Sequence, residues 1–186
     1  MSIDLRNALR RRKPQRRQAR LTARRRSALI DVDDFTPSGR ALLMPDTNVY
    51  TRAAGGTLPA LAQDLVERAL LFHCSVCLAE LATGVANADP SLPSWSMLRD
   101  HYVELFDNIP RARLLNPDAE VWSDAGVIAG ALARTQGFAR HQRKECLNDA
   151  LIYLTATKAG VPVLTADRNQ FDLIQQLVPE GKFIHF

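Results

Sequence analysis

The sequence predicts an α/β protein, a three-layer α/β/α sandwich with a mainly parallel central sheet, preceded by a basic N-terminal extension. From about residue 41 onwards, short apolar runs alternate with longer segments whose apolar residues recur at helical spacing. Strands that alternate with helices require crossover connections, which make the strands parallel and cover both faces of the sheet. With 46% hydrophobic residues, a chain of 186 residues can bury such a core.

Short strands alternate with one or two helices along this part of the chain. The predicted strands are RALLMPD (40–46), FHCSV (72–76), ARLLN (112–116), VPVLTAD (161–167) and KFIHF (182–186). The predicted helices are LPALAQDLVERALL (58–71), CLAELATGVAN (77–87) with Ser75 as cap, 94–107, 117–135, ECLNDALIYLTATKAG (145–160) and NQFDLIQQL (169–177). Gly137 and Gly160 follow two of these helices and are typical of helix ends.

Charge divides the chain into two parts. Residues 1–40 hold 12 Lys and Arg against 4 Asp, a net charge of +8, whereas residues 41–186 hold 12 against 16, a net charge of −4. Residues 1–26 are too poor in apolar groups to form a core, so we expect a disordered segment or a solvated helix, and a linker over 31–40. The sequence predicts a flexible extension and linker over 1–40 and one domain over 41–186. Such a basic segment commonly binds nucleic acid, although it can equally be a solubilising arm or a docking arm for a partner.

Several classes of protein are disfavoured by composition. No apolar run is long enough to span a membrane, and no apolar segment follows the basic N-terminus as a secretory signal requires. Three cysteines do not make a disulfide framework, so a cytoplasmic protein is expected. Cys74 and Cys77 form a CxxC pair without a second pair, which favours buried cysteines over a zinc site.

Acidic residues follow two of the predicted strands. Asp46 ends the first strand, and Asp167 ends VPVLTAD in the same way. Ligands of open α/β sheets bind beyond the carboxyl ends of the strands, so the two carboxylates are expected to face one crevice. An Asp at a strand end is also a common helix cap, and that alternative stays open at this point.

Two further acids lie on helices that can reach the same edge. Glu80 is on the helix after the second strand, and Asp149 is near the start of an almost wholly apolar helix, where a carboxylate is unfavourable without a partner. Four crowded acids raise one another's pKa values, and Mg²⁺ or Mn²⁺ bound by Asp46, Asp149 and Asp167 would resolve the repulsion. Such ions support hydrolysis of phosphodiesters, so all four acids are predicted catalytic residues.

Other residues are assigned supporting parts. Asn48 is expected to orient Asp46 or to cap the loop, and Thr165 to hold a metal-bound water. The loop before Asp149 is basic, and its residues are a candidate RNA-backbone contact or an ordinary solvated loop. These loop residues are Arg140, His141, Arg143 and Lys144. Trp95 and Trp122 are expected in the core or at a dimer contact, and Asp124 on a solvated helix face.

The ordered segments PDTNVY, SVCLAEL, CLNDALIYLTA and VLTADRNQF resemble the four acidic motifs of PIN-domain nucleases, most closely the VapC-type toxins of bacterial type II toxin–antitoxin systems. The resemblance covers residues 42–186. It implies a metal-dependent endoribonuclease with Asp46, Glu80, Asp149 and Asp167 as the acidic quartet. It also implies a homodimer, and a cognate antitoxin that neutralises the enzyme.

The chain departs from this family at its start. Members of the toxin group usually begin within a few residues of the first Asp, whereas here 45 residues precede it. Met44 stands where such a start would fall, so the extension is either genuine or the product of a misassigned start. Two alternatives to the toxin remain open: a housekeeping RNA-processing nuclease of the same family, and a catalytically idle module that only binds nucleic acid.

Overall fold

The computed structural model describes residues 5–186, so the first four residues of the predicted flexible extension lie outside the described part of the chain. Within it, the strands are short and all of their pairings are parallel. They are β1 (Ile30–Asp31), β2 (Leu42–Pro45), β3 (Leu70–Leu71), β4 (His73–Cys74), β5 (Leu114–Leu115), β6 (Val163–Thr165) and β7 (Phe183–His185). The main sheet has the order β1-β7-β6-β2-β3, and β4 pairs with β5.

Helices cover both faces of this sheet. They are α1 (Leu5–Arg12), α2 (Thr47–Ala54), α3 (Ala60–Arg68), α4 (Ser75–Asn87), α5 (Pro93–Asp107), α6 (Ala119–Gln136), α7 (Arg140–Ala159) and α8 (Arg168–Leu177). None of the helices described within residues 5–186 has the length and hydropathy that a bilayer-spanning segment needs. The predicted three-layer α/β class is therefore confirmed.

The core has two halves because side chains alternate along each strand. Leu43 of β2 points to the face covered by α2 and α3, where it packs with Val49 and Ala62. Met44, the next residue, points to the opposite face, which is packed by the buried residues of α6, α7 and α8. In the parallel pairing of β2 with β6, Met44 lies opposite Val163. This pairing brings the carboxyl ends of β2 and β6 side by side at the centre of the sheet.

Three local differences from the sequence prediction have physical reasons. Helix α2 was not predicted, because its eight residues are rich in β-branched and polar side chains; it begins where Asp46 accepts a hydrogen bond from the Thr47 N–H. Helix α7 begins at Arg140, so the basic segment predicted as a loop forms its first turns. Ser75 is the first residue of α4 rather than its cap, which is Cys74.

The N-terminal segment lies against the domain. Ala8 of α1 is fully buried, and α1 packs along α6. Arg11 and Arg12 both form ion pairs with Asp124 of α6 at 2.9 Å. Asp124 is consequently buried, contrary to the solvated helix face expected for it, because its two partners come from a segment more than a hundred residues away.

Further along, the same segment crosses from α6 to α8 and enters the sheet. Arg134 of α6 donates hydrogen bonds to two carbonyl oxygens of the segment, those of Pro14 and Arg17. The backbone N–H of Arg24 donates to the buried Asp172 of α8 at 2.7 Å, and the Arg24 guanidinium forms an ion pair with it. Strand β1 then pairs with β7. The domain boundary at residue 40 stays a prediction, while residues 5–31 contact the domain along most of their length.

Candidate active site

Asp46 lies at the carboxyl end of β2 and is also the N-cap of α2. Its Oδ1 atom accepts a hydrogen bond from the Thr47 N–H at 2.7 Å, and its Oδ2 atom accepts hydrogen bonds from the Asn48 amide and, at 2.8 Å, from the Thr165 hydroxyl. A carboxylate can accept roughly four hydrogen bonds, so three donors leave one acceptor position on Oδ1. The two readings of this residue from the sequence, cap and ligand, are therefore compatible.

The end of β6 is tied to the end of β2 by the same network. The Asn48 side chain donates to the Thr165 hydroxyl at 3.0 Å, and its carbonyl oxygen accepts from the Ala166 N–H at 2.9 Å. The Thr165 hydroxyl also accepts from the Asp167 N–H at 3.0 Å. These contacts hold the loops after both strands in a fixed relation.

Thr165 is wholly buried, and its hydroxyl already donates to Asp46 and accepts from Asn48 and Asp167. A hydroxyl has one proton and two lone pairs, all of which are used here. Its contacts position Asp46 rather than leaving the hydroxyl for the metal-bound water that the sequence suggested.

Asp167 is exposed and caps α8, where one of its oxygens accepts the Gln170 N–H at 3.0 Å. Glu80 lies on α4, partly buried, and each of its carboxylate oxygens has a donor. The Thr47 hydroxyl donates to one, and the Asn148 amide donates to the other at 2.6 Å. Glu80 is thereby linked both to α2, beside Asp46, and to α7, beside Asp149.

Asp149 lies on α7 and faces the other acids. Burial raises its pKa well above the usual range of a carboxyl group, and the negative charges of Asp46, Asp167 and Glu80 raise it further. Burial is also the largest cause that raises the pKa of Asp46 to about 7, against the lowering effect of hydrogen bonds from Thr165 and Thr47; Glu80 and Asp167 add repulsion. The structure thus brings the four predicted acids into mutual electrostatic contact.

This set of side chains fits a hard divalent cation by its chemistry. All four offer carboxylate oxygens, and a positive ion would stabilise the buried Asp46 and the partly buried Asp149, whose ionisation the neighbouring acids oppose. Within residues 5–186, however, no three Asp, Glu, His or Cys side chains already converge on one point closely enough to ligate an ion. Binding would therefore require rotation of the exposed Asp167 side chain, or of another acid, towards Asp46 and Asp149.

The four basic residues predicted as an RNA contact separate into three positions on α7. His141 and Lys144 line the same groove as Glu80. Arg143 donates to the carbonyl oxygen of Phe138 and lines a cleft between α6 and α7. Arg140, the first residue of the helix, is exposed. Two of the four therefore lie directly beside the acid cluster.

Other ionisable side chains, outside the four acids, are also buried. All three cysteines are buried and free, as the sequence favoured for Cys74 and Cys77. His73 is buried, its ring Nδ1 lies 2.7 Å from the Tyr50 hydroxyl, and burial lowers the pKa of its imidazole to about 4. Asp124, expected on a solvated helix face, pairs instead with Arg11 and Arg12.

Thr47 and Asn148, which hold Glu80, were not singled out from the sequence. Each immediately follows or precedes one of the predicted acids, and that adjacency is the only signal in the sequence. Position within a motif indicates that a residue is near the site but not which neighbour its side chain contacts. The direction of the side chains at the start of α2 and along α7 determines that Thr47 and Asn148 both contact Glu80.

Solved structures with a similar fold come from bacteria. FitAcB from Neisseria gonorrhoeae matches 77% of this chain and 96% of its own at a TM-score of 0.57 and 18% identity. VapBC-1 from nontypeable Haemophilus influenzae matches 77% of this chain and 97% of its own, with a TM-score of 0.55 and 17% sequence identity. VapBC2 from Rickettsia felis was solved bound to a DNA fragment from its promoter. It matches 78% of this chain and 98% of its own, with a TM-score of 0.52 and 16% sequence identity. At these identities the likeness shows a shared fold.

Comparison with curated proteins finds no matching sequence. A family model, in contrast, matches residues 43–175 and is that of the PIN domain. The matched range is well over half of the chain and contains Asp46, Glu80, Asp149 and Asp167. The same range contains the paired ends of β2 and β6, at which the acid cluster lies. This chain belongs to the PIN domain family.

Proposed function

We propose that the protein is a metal-dependent endoribonuclease and the toxin of a type II toxin–antitoxin pair. The observation that carries the proposal is the electrostatic contact among four carboxyl groups at the carboxyl edge of a PIN-domain sheet, where burial raises the pKa of Asp46 and of Asp149 and neighbouring acids raise both further. Burying like charges together is costly unless a cation or a proton compensates them. In this proposal, a bound metal ion offsets the cost of burying these charges.

Asp46, Asp149 and Asp167 would hold the ion, which is Mg²⁺ or Mn²⁺ by the oxygen character of the donors. When bound, it would supply Lewis-acid activation of a water and neutralise charge on the phosphodiester. Asn48 and Thr165 fix the orientation of Asp46 through its Oδ2 atom. These two residues are positioning residues in this proposal.

Both oxygens of Glu80 receive hydrogen bonds, one from the Thr47 hydroxyl and one from the Asn148 amide. In the proposal it positions the attacking water through its remaining lone pairs. Attack by water, rather than by the ribose 2′-hydroxyl, gives a 5′-phosphate and a 3′-hydroxyl. Recovery of 2′,3′-cyclic phosphate ends would contradict this polarity.

The toxin assignment is supported by the motifs that resemble VapC-type toxins and by the similarity of fold to two VapBC structures and to FitAcB. A cognate antitoxin, a homodimer and action in the cytoplasm follow from the same resemblance. Growth arrest on expression, relieved by co-expression of the product of a short adjacent gene, is the expected result. Unimpaired growth with intact ribonuclease activity would favour a housekeeping RNA-processing nuclease.

The basic extension is assigned an RNA contact in this proposal. Arg11, Arg12 and Arg24 are engaged with acids of the domain. Other cationic side chains of the segment are exposed, among them Arg10, Lys13, Arg16, Arg17 and Arg20. Because the ion pairs fix the segment along α6, these exposed charges form a ridge of set position. Such a ridge would attract RNA phosphates with an affinity that falls as salt rises.

Cleavage of total cellular RNA by the purified protein tests the activity. We expect cutting at a few discrete sites with Mn²⁺, none in EDTA, and none by Asp149→Asn with either. Asp100→Asn, which changes an exposed acid of α5, is the matched control and should cut as the wild type does. RNA retention without any cutting in Mn²⁺ would contradict the nuclease and leave an idle binding module.

A further inference from the structure

A pair of cysteines lies where β4 passes into α4. Cys74 is the last residue of β4 and the N-cap of α4, and Cys77 is the third residue of that helix. Both thiols are free and buried. The proposed nuclease chemistry does not use them, although two cysteines with this spacing at a strand-to-helix junction are typical of pairs that convert between dithiol and disulfide.

The two sulfur atoms are placed to react with each other. The N-cap residue and the third helical residue face each other across the first turn of a helix, as the reciprocal contacts of a capping box show. Here the Cys77 thiol hydrogen-bonds the Cys74 sulfur, which is the largest cause that lowers the pKa of Cys74, against the opposite effect of burial. The same contact and burial raise the pKa of Cys77 well above its usual range. Cys74 is therefore the nucleophile of the pair, because the thiolate is the reactive form of cysteine.

Cys77 also connects this pair with the acid cluster. Its thiol has a second acceptor 3.7 Å away, the carbonyl oxygen of Pro45, which ends β2 directly before Asp46. Glu80 lies one turn further along α4, and its carboxylate is hydrogen-bonded to α2 and to α7. A displacement of the first turn of α4 would therefore disturb both the end of β2 and the position of Glu80.

A groove of about 780 Å³ between the starts of α4, α6 and α7 lies beside the cysteines. Ser75 and Val76, the two residues between them, line this groove, so the first turn of α4 forms part of the wall between solvent and the sulfur atoms. Helix ends open locally at a low free-energy cost. An oxidant as small as hydrogen peroxide can reach Cys74 during such an opening, whereas burial keeps bulky thiol reagents out.

We propose that Cys74 and Cys77 form a reversible disulfide in the presence of hydrogen peroxide, and that this bond inactivates the acid cluster. The Cys74 thiolate attacks one peroxide oxygen, and the O–O bond breaks to give a sulfenic acid and hydroxide, which takes up a proton to become water. The Cys77 sulfur then attacks the sulfenic sulfur. The S–S bond forms, the S–O bond breaks, and a second water leaves with the Cys77 proton, so two electrons pass from the thiols to the peroxide.

The disulfide changes the contacts at the start of α4. Its formation removes the thiol proton of Cys77, so the Pro45 carbonyl oxygen loses this donor. The two sulfur atoms also close from hydrogen-bonding distance to about 2 Å, which draws Cys77 towards Cys74 and away from the end of β2. Glu80 is displaced with the same helix. The inactivation rests on the proposed nuclease function, whereas the formation of the disulfide does not.

Intact mass and thiol counting test the bond on the full chain. After peroxide treatment of the native protein, unfolding and alkylation, the product should be lighter by two hydrogen atoms before alkylation and should carry a single label, on Cys146. Dithiothreitol should restore all three labels. Cys146→Ser is the matched control and should form the same bond, while Cys77→Ser should stop at a sulfenic acid on Cys74 that dimedone traps. Three alkylated cysteines after peroxide, or a disulfide that joins two copies of the chain, would refute the proposal and leave the pair as packing residues.

The effect on the acids has two readouts, each compared with the same protein before oxidation. Cleavage of RNA in Mn²⁺ should be lost on oxidation and return with dithiothreitol, both in the wild type and in Cys146→Ser. Peroxide should leave the cleavage rate of Cys77→Ser unchanged. Thermal unfolding gives the second readout: the rise in Tm caused by Mn²⁺ should be smaller for the oxidised than for the reduced wild type.

The two proposals can fail separately. A disulfide that forms in a protein without any metal-dependent cleavage in its reduced state would refute the nuclease and support the redox pair. A disulfide that changes neither the cleavage rate nor the effect of Mn²⁺ on Tm would refute the control of the acid cluster, with the nuclease unaffected.

Discussion

Replacing Asp46 by Asn is expected to stabilise the metal-free protein above pH 7. Burial raises the pKa of Asp46 from 3.8 to about 7, a shift of roughly three units, and each unit corresponds to about 1.4 kcal/mol. Keeping this carboxylate ionised at pH 8 therefore costs about 4 kcal/mol of folding free energy. The Asn amide cannot accept from both Asn48 and Thr165, which costs about 1–2 kcal/mol. The net gain is about 2–3 kcal/mol, or roughly 5–10 °C in Tm for a protein of this size.

The gain should depend on pH with a definite sign. A carboxyl group whose pKa is raised by folding contributes its full stability below its unfolded pKa of about 4 and loses it as the pH rises through the folded value of about 7. Asp46→Asn removes this titration. Its advantage over the wild type should thus be absent near pH 4, grow between pH 4 and 7, and level off above pH 7.

Denaturant unfolding in EDTA at several pH values measures the difference, with Asp100→Asn as the exposed-acid control. Adding Mn²⁺ at about a thousand times its Kd should reverse the order, because the bound ion then stabilises the wild type by about 4.1 kcal/mol. The variant lacks one ligand and should gain less. A variant no more stable than the wild type in EDTA at pH 8, or an advantage that does not change with pH, would refute the account of the site as buried, opposed charges.

Two further predictions concern groups outside the site. Arg24→Gln should destabilise the protein by about 1–3 kcal/mol, because the buried Asp172 then keeps only uncharged hydrogen-bond donors. Adding Asp172→Asn to this variant should recover part of the loss. An unchanged free energy of unfolding in Arg24→Gln would show that the segment is not anchored at Asp172. Burial lowers the pKa of His73 from 6.5 to about 4 in the folded protein. The free energy of unfolding should therefore fall by about 3 kcal/mol as the pH falls from 6.5 to 4. His73→Gln should unfold with less acid dependence over that range, and identical pH profiles would contradict this.

The order of the elements and the positions of the acids could be predicted because both are local properties of the sequence. Asp46 and Asp167 each follow an apolar run directly, and parallel strands bring such ends to one edge. The helical pattern of α7 likewise places Asp149 directly before the run of buried residues from Ala150 to Ala156. No information about distant residues is needed for these expectations.

The course of the N-terminal segment could not be predicted in the same way. Its composition indicates solvation, and only pairing with acids more than a hundred residues away makes it lie on α6 and α8. Asp124 was expected on a solvated helix face for the same reason, since nothing near it in the sequence reveals a partner. The exposure of Trp122 also depends on packing: its helical spacing fits a core residue, but the groove at the start of α6 leaves the ring open.

Asp46 shows why a cap and a ligand need not be alternatives. Its Oδ1 atom begins α2, and its Oδ2 atom joins the ends of β2 and β6 through Asn48 and Thr165. The hydrogen bonds that fix the carboxylate also lower its pKa, yet burial outweighs them. The local structure therefore holds the group in place while the surrounding core opposes its charge. A fold that only needed a cap could use Asn at this position at less cost, and under the proposed function a bound cation would offset the cost of the charge.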